Sequence, residues 1–208
     1  MRRYSNRCSL LFSCLAISTA LVIGLGSAHA SAPPKMADQM ANAGDPVVAS
    51  PEIQKVLTRT ESAGAKIMLL AQRDGLSFYR IVGSSHGECF GIGHGIADSA
   101  TLGYMSCDGG FGWQREPVKD ASSWTYIRAS GIVRFASVQG FATNGVKQIV
   151  VYNGSGGIVA TTFVSRNVYS IPETALSTTV ATKVVALGAN GAVLFQNVVP
   201  DAQALATG

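Results

Sequence analysis

The sequence predicts a mainly β protein: an antiparallel β-sandwich with one short N-terminal helix preceding a β-hairpin region. Three observations carry this expectation. The charged fraction is only 13%, and Gly, Ser, Thr, Ala and Val are plentiful, a mixture suited to short strands broken by glycine turns. Short apolar runs follow one another from residue 66 onward, separated by Asp-Gly, Asn-Gly and Gly-Gly punctuation. One stretch only, near residue 51, shows convincing helical spacing after the leader.

The chain opens MRRYSNRCSLLFSCLAISTALVIGLGSAHA. Arg2, Arg3 and Arg7 precede an apolar run from Leu10 to Leu25, and Ala28-His29-Ala30 fits the small-x-small cleavage rule. Residues 1–30 are expected to be a signal peptide cleaved after Ala30. The run is shorter than the ~20 residues of a spanning helix, so no membrane span is expected after cleavage. The twin arginines and the Leu11–Cys14 box are poor matches to the Tat and lipoprotein signals. The expected location is secreted, extracellular or at the bacterial cell surface.

Residues 1–30 hold three of the sixteen basic side chains and no acid, which leaves thirteen basic and twelve acidic ones afterwards. The basic balance therefore belongs mainly to the leader, and no Lys/Arg cluster suggests a nucleic-acid partner. Cys8 and Cys14 leave with the leader. Cys89 and Cys107 remain as an even pair in an oxidising compartment and are expected to form a disulfide.

Residues 31–50 are rich in Pro, Ala and small polar residues without an apolar period, and read as a flexible linker. Ser50-Pro51-Glu52 then supplies an N-cap, a first-turn proline and an acid at the positive helix end. Ile53, Val56 and Leu57 form the apolar stripe of a helix over about 51–62 that stops near Gly64.

Lys66–Gln72 and Ser77–Val82 flank Arg73-Asp74-Gly75 as a hairpin. Cys89–Ile92 and Leu102–Cys107 form a second pair joined by a Gly-rich loop. Residues 109–120 are expected to cross over, because Pro117 cannot sit in a central strand. Further strands are expected at Ser123–Arg128, Ile132–Phe141, Val146–Tyr152, Ile158–Val164, Thr179–Leu187 and Ala192–Val198, at the spacing of a sandwich. Along Thr179–Leu187, Val180, Thr182, Val184 and Ala186 share one face, and Ala181, Lys183, Val185 and Leu187 the other. The expected organisation is a helix and disulfide-pinned hairpin region over 51–116, then a sandwich over 117–208, possible as one continuous domain.

The run strand–Asn-Gly–strand–Gly-Ser-Gly-Gly–strand, as in GFATNGVKQIVVYNGSGGIVATTFV, resembles an immunoglobulin-like or carboxypeptidase-regulatory-like sandwich over Ile132 to Val198. With RDGLSFYRIVGSSHGECFGIGHG it is similar to secreted bacterial β proteins of actinobacterial type. The resemblance implies a sandwich and export; it supplies no functional residues.

Candidate chemistry concentrates in GSSHGECFGIGHG, residues 83–95. Gly83-Ser84-Ser85-His86-Gly87 matches the G-x-S-x-G nucleophile-elbow pattern, but no helix is expected to follow it. A small secreted hydrolase using Ser85, His86 and His94 is the alternative function. His86, Cys89, His94 and Cys107 are zinc-type ligands without tight paired spacing, and a disulfide would remove both thiolates. The same bond would abolish a Cys89 nucleophile. Gly91, Gly93 and Gly95 lack the spacing and βαβ context of a dinucleotide fingerprint. They suit close strand approach or positive φ. Glu88, Asp98, Asp108, Glu116 and Asp120 are scattered loop acids. They lack a calcium-loop spacing, and their distances are open with respect to a glycosidase pair. Asn153-Gly154-Ser155 is a glycosylation sequon read as a turn.

Phe111, Trp113, Trp124 and Tyr126 bracket the crossing loop. They are read first as core packing and otherwise as a surface for a protein or carbohydrate partner at the cell surface. No cofactor and no metal are expected. The leading expectation is a non-enzymatic secreted binding or structural module.

Overall fold

The computed structural model describes residues 36–60, 62–95, 101–107, 116–127 and 130–200. The expected leader, Trp113 and Phe111, and the acids Asp98 and Asp108 lie outside them. The described part falls within one compact unit, 33–208. It is mainly β and antiparallel, as the composition and turn pattern predict.

The first sheet runs β1 (Asp45–Val47), β2 (Lys66–Arg73), β3 (Leu76–Ser84), β4 (Gly87–His94) and β5 (Thr101–Cys107), in that spatial order. Asp74 at φ +52° and Gly75 at φ +77° make the two-residue turn between β2 and β3. Both central residues have positive φ, which matches the right-handed twist of the strands. Helix α1 (Pro51–Arg59) begins where Ser50 Oγ accepts from the Ile53 amide at 3.1 Å. It lays Ile53 and Leu57 on Ile67, Tyr79, Ile81 and Cys89. The helix therefore covers one face of the first sheet.

The opposite face carries Leu70, Phe78, Phe90 and Ile92, which pack against Phe141 and Val168. Those two residues belong to a second sheet, ordered β11 (Val168–Ile171), β8 (Ile132–Ala142) and β6 (Val118–Asp120), with β7 (Ser123–Ile127) pairing the other end of β8. The other face of this middle sheet, with Val138, Ala142, Tyr169 and Ile171, packs on a third sheet through Ile149, Val151, Val184 and Ala186. The third sheet is ordered β10 (Ile158–Phe163), β9 (Val146–Asn153), β12 (Ala181–Gly188) and β13 (Val193–Val198). A one-turn helix α2 (Glu173–Leu176) plugs Leu176 into the same core.

Four expectations need correction. Residues 36–50 are not a free linker. Met36, Ala37 and Met40 are buried in the core beside Phe78 and Phe90, and β1 pairs with β2. Short apolar side chains without a period can be buried by tertiary contacts alone. The second correction concerns β12: a register shift between Ala181 and Lys183 puts Ala181 in the core with Val184 and Ala186. The extra residue of a bulge reverses the alternation beyond it, and Val180 is left exposed. Third, the helix is shorter than expected and ends at Arg59 with Thr60 as its C-cap.

Asp120, the fourth, is no solvated loop acid, and neither is Glu88, which lies in β4 and pairs with Arg80. Asp120 accepts from the Ser122 amide at 2.9 Å, from the Ser122 hydroxyl, from Tyr169 Oη at 3.3 Å and from Asn197 Nδ2 at 2.7 Å. These bonds join β6 and β11 of the middle sheet to β13 of the third. A carboxylate in such a position needs that many donors to offset lost hydration.

Candidate binding cleft

The motif in 83–95 folds into strand and turn. Ser85 and His86 are exposed at the turn between β3 and β4. There Ser84 Oγ donates to Gly87 O at 2.7 Å and accepts from the His86 amide at 3.2 Å. His94 is exposed at the far end of β4, eight residues along an extended strand from His86, or about 26 Å. Ser85 and His86 are thus neighbours and His94 is not. Among the described residues no group of three or more His, Cys, Asp or Glu side chains is placed to hold a metal ion.

Cys89 and Cys107 face each other across β4 and β5, with sulfurs 2.03 Å apart and Cα atoms 3.9 Å apart. The pairing expected from the cysteine count is present. Gly93 lets β5 come close, since a Cβ there would meet the Thr101 carbonyl at 2.8 Å. Gly95 takes φ +95°.

Trp124 stands 45% exposed on β7, so it does not cover the core as first read. Tyr126 lies on the same strand, with its side chain outside the described residues. No described helix is long and apolar enough to cross a membrane.

The structure assembles a cleft from other residues. A hollow of about 480 Å³ opens between the end of β2 and the edge strand β10, within the size range of small-ligand sites. Its lining includes Gln72 and Arg73 from β2, Thr161, Thr162 and Phe163 from β10, and Arg166 from the turn before β11. Arg73 Nη1 donates to Phe163 O at 2.9 Å, and Nη2 to Thr162 Oγ1 at 2.5 Å. Phe163 is 70% exposed.

Arg166 and Asn167 are both left-handed, at φ +52° and +65°. Such a conformation costs a non-glycine residue about 1–3 kcal/mol and persists only where the surroundings enforce it. Three asparagines do so. Asn42 Nδ2 donates to Arg166 O at 2.9 Å and to Leu70 O at 3.0 Å. Asn167 accepts from the Asn42 amide at 3.0 Å, and its Nδ2 donates to Ala142 O and to Asn144 Oδ1, each at 2.9 Å. The network ties residues 42, 144 and 167 together and fixes the base of Arg166. The guanidinium itself donates to Asp45 Oδ2 at 3.0 Å.

Nothing in the sequence marks this cleft. Its two arginines are 93 positions apart and sit in ordinary turn contexts. The only local hint is Arg166-Asn167 directly after a strand, since asparagine tolerates the left-handed region. Compared with known proteins, the chain matches no family model, and no curated protein or solved structure is significantly similar to it.

Proposed function

We propose that the protein is an exported, non-enzymatic β-sandwich module that binds a partner outside the cell or at its surface. The observation that carries this reading is the cleft between β2 and β10, lined by Arg73, Thr162 and Arg166, with the Arg166 turn held by Asn42, Asn144 and Asn167. The Cys89–Cys107 pair is compatible with an oxidising location, and the leader-like sequence of 1–30 adds to that.

The hydrolase alternative has less support. His94 lies at the far end of β4 from Ser85 and His86, so the three groups do not meet as nucleophile, base and orienting partner. Cell fractionation with N-terminal sequencing tests export, and the expected mature chain starts at Ser31. A panel of ester and peptide substrates tests the other half. Turnover lost in Ser85→Ala would replace the binding role by the hydrolase.

A further inference from the structure

We infer that the free edge of β13 docks a second copy of this chain: two β13 strands pair antiparallel about a two-fold axis beside Gln196 and join the third sheets of two molecules. This edge is separate from the cleft, which lies beside β10 at the other side of the same sheet.

The edge is open and apolar. Among the described residues β13 pairs only with β12. Its six residues, VLFQNV, carry no charge and no proline. Val193, Leu194 and Val198 stand 61%, 40% and 56% exposed. An uncharged, unpaired edge of this kind is a template for another strand, and apolar side chains clustered in solvent mark a contact surface. Two other edges are blunted. β1 has three residues, one of them Pro46, and on β10 the Phe163 carbonyl is taken by Arg73 Nη1.

The hydrogen-bond pattern says which groups the edge offers. The Val199 amide donates to Thr182 O at 2.9 Å, and Lys183 and Val184 lie opposite Val198 and Asn197. Bonded and non-bonded pairs alternate along an antiparallel ladder. Asn197 therefore turns its amide and carbonyl toward β12, and Gln196 and Val198 turn theirs outward. The other face of the strand is anchored. Asn197 Nδ2 donates to Asp120 Oδ2 at 2.7 Å, and Phe195 packs on the core. The outward groups are thus fixed before a partner arrives, which lowers the ordering cost of association.

The strand suits its own copy. Opposite residues of an antiparallel pair share a face, and neighbours along a strand alternate, so a two-fold axis must pass beside one residue. Gln196 is the outward-bonding residue nearest the middle of β13. About that axis the two Gln196 residues exchange both backbone bonds, and Val198 of each copy meets Leu194 of the other. The bulge at Leu194, opposite the step from Ala186 to Leu187, falls at the end of this ladder. A Lys or Glu on the strand would set like charges against each other, and β13 has neither. The glutamine amide donates and accepts, so the two side chains at the axis can bond each other. Leu194 to Val198 is a short contact beside the ~20–30 residues a side of a standard interface. The dimer is therefore weak and concentration-dependent.

The test is sedimentation equilibrium of the chain without residues 1–30; residues 33–208 form a compact unit of their own. A monomer–dimer equilibrium with a Kd of roughly 100 μM is expected. Amide exchange at Gln196 and Val198 should slow as concentration rises, and that of Asn197 should not change. Gln196→Lys and Gln196→Glu should each weaken self-association by about tenfold or more, because like charges then meet at the axis. Gln196 is exposed, so circular dichroism should report both variants folded. Their equimolar mixture should dimerise again. Phe163→Lys, on the opposite edge strand, should leave association unchanged. A chain still monomeric at about 1 mM overturns the assignment. So does a dimer that survives Gln196→Lys, a mixture of the two folded variants that stays monomeric, or a dimer lost in Phe163→Lys.

Discussion

The ring of Phe78 on β3 meets the ring of Phe141 on β8 edge-on, with centroids 5.6 Å apart and planes at 81°. Phe90 adds a second contact to Phe141, at 5.1 Å. These rings lock the first sheet to the middle one, so hairpin region and sandwich share a core. Phe141→Ala should cost about 3–5 kcal/mol. It should lower both halves in one transition. Hydrogen exchange along denaturant unfolding checks this, and separate transitions for β3–β4 and β9–β12 would refute the shared core.

Removing the Cys89–Cys107 link should lower stability by about 3 kcal/mol, given a separation of 18 residues. The Cys89→Ser, Cys107→Ser double variant is the test, with chemical denaturation as readout. Ellman's reagent should find no reactive thiol in the unreduced chain lacking residues 1–30, which carry Cys8 and Cys14, denatured in guanidinium. Two equivalents of free thiol there would sink the bond.

At Gly140 a Cβ would run into the Lys119 carbonyl and the Tyr169 hydroxyl. Gly140→Ala should therefore destabilise by about 1–3 kcal/mol or more, since one clash is with backbone. Gly154→Ala is the control, with nothing within 4 Å of the added atom, and should change stability by less than about 0.5 kcal/mol. Thermal melts of the two variants separate the effects. Equal melting temperatures would contradict the close packing at Gly140.

Burial raises the Tyr169 hydroxyl well above its ordinary pKa of 10.0, and the neighbouring Asp120 charge and hydrogen bond push the same way. Tyr104, beside it, is raised mainly by burial, and so is Tyr79. The unfolded chain then holds fewer of these protons than the folded one above pH 10, so stability falls as pH rises. Below that pH the contribution is fully present. Tyr169→Phe should make the alkaline decline shallower in denaturation midpoints measured from pH 9 upward. An unchanged slope would show that Tyr169 does not couple to folding.

Legibility in the sequence followed how local the cause was. The α1 start was readable because Ser50, Pro51 and Glu52 each act within one turn. The β2–β3 turn was readable because Asp74-Gly75 suits its φ angles. The cysteine pairing followed from a count. The role of residues 36–50 was not readable, because their order comes from Asn42 meeting partners about 125 positions away. The short strand β11 carries four buried residues, too few to show a period. The cleft escaped for a related reason: Arg73 and Thr162 have no sequence relationship until β2 and β10 are brought side by side.

The strand order also sets a timetable. Every pairing in the first sheet joins consecutive strands, and from β2 to β5 each closes a short loop, while β1 reaches β2 across helix α1. In the third sheet β12 must return to β9 past β10, β11 and α2, and ln k for such closures falls with sequence separation. The early half of the chain can zip from its turns, whereas the late half waits for a distant strand to come home. Pulse-labelled hydrogen exchange during refolding should protect β3 and β4 amides ahead of those in β9 and β12. Cys89 and Cys107 would then face each other while the second half of the molecule is still searching for its register.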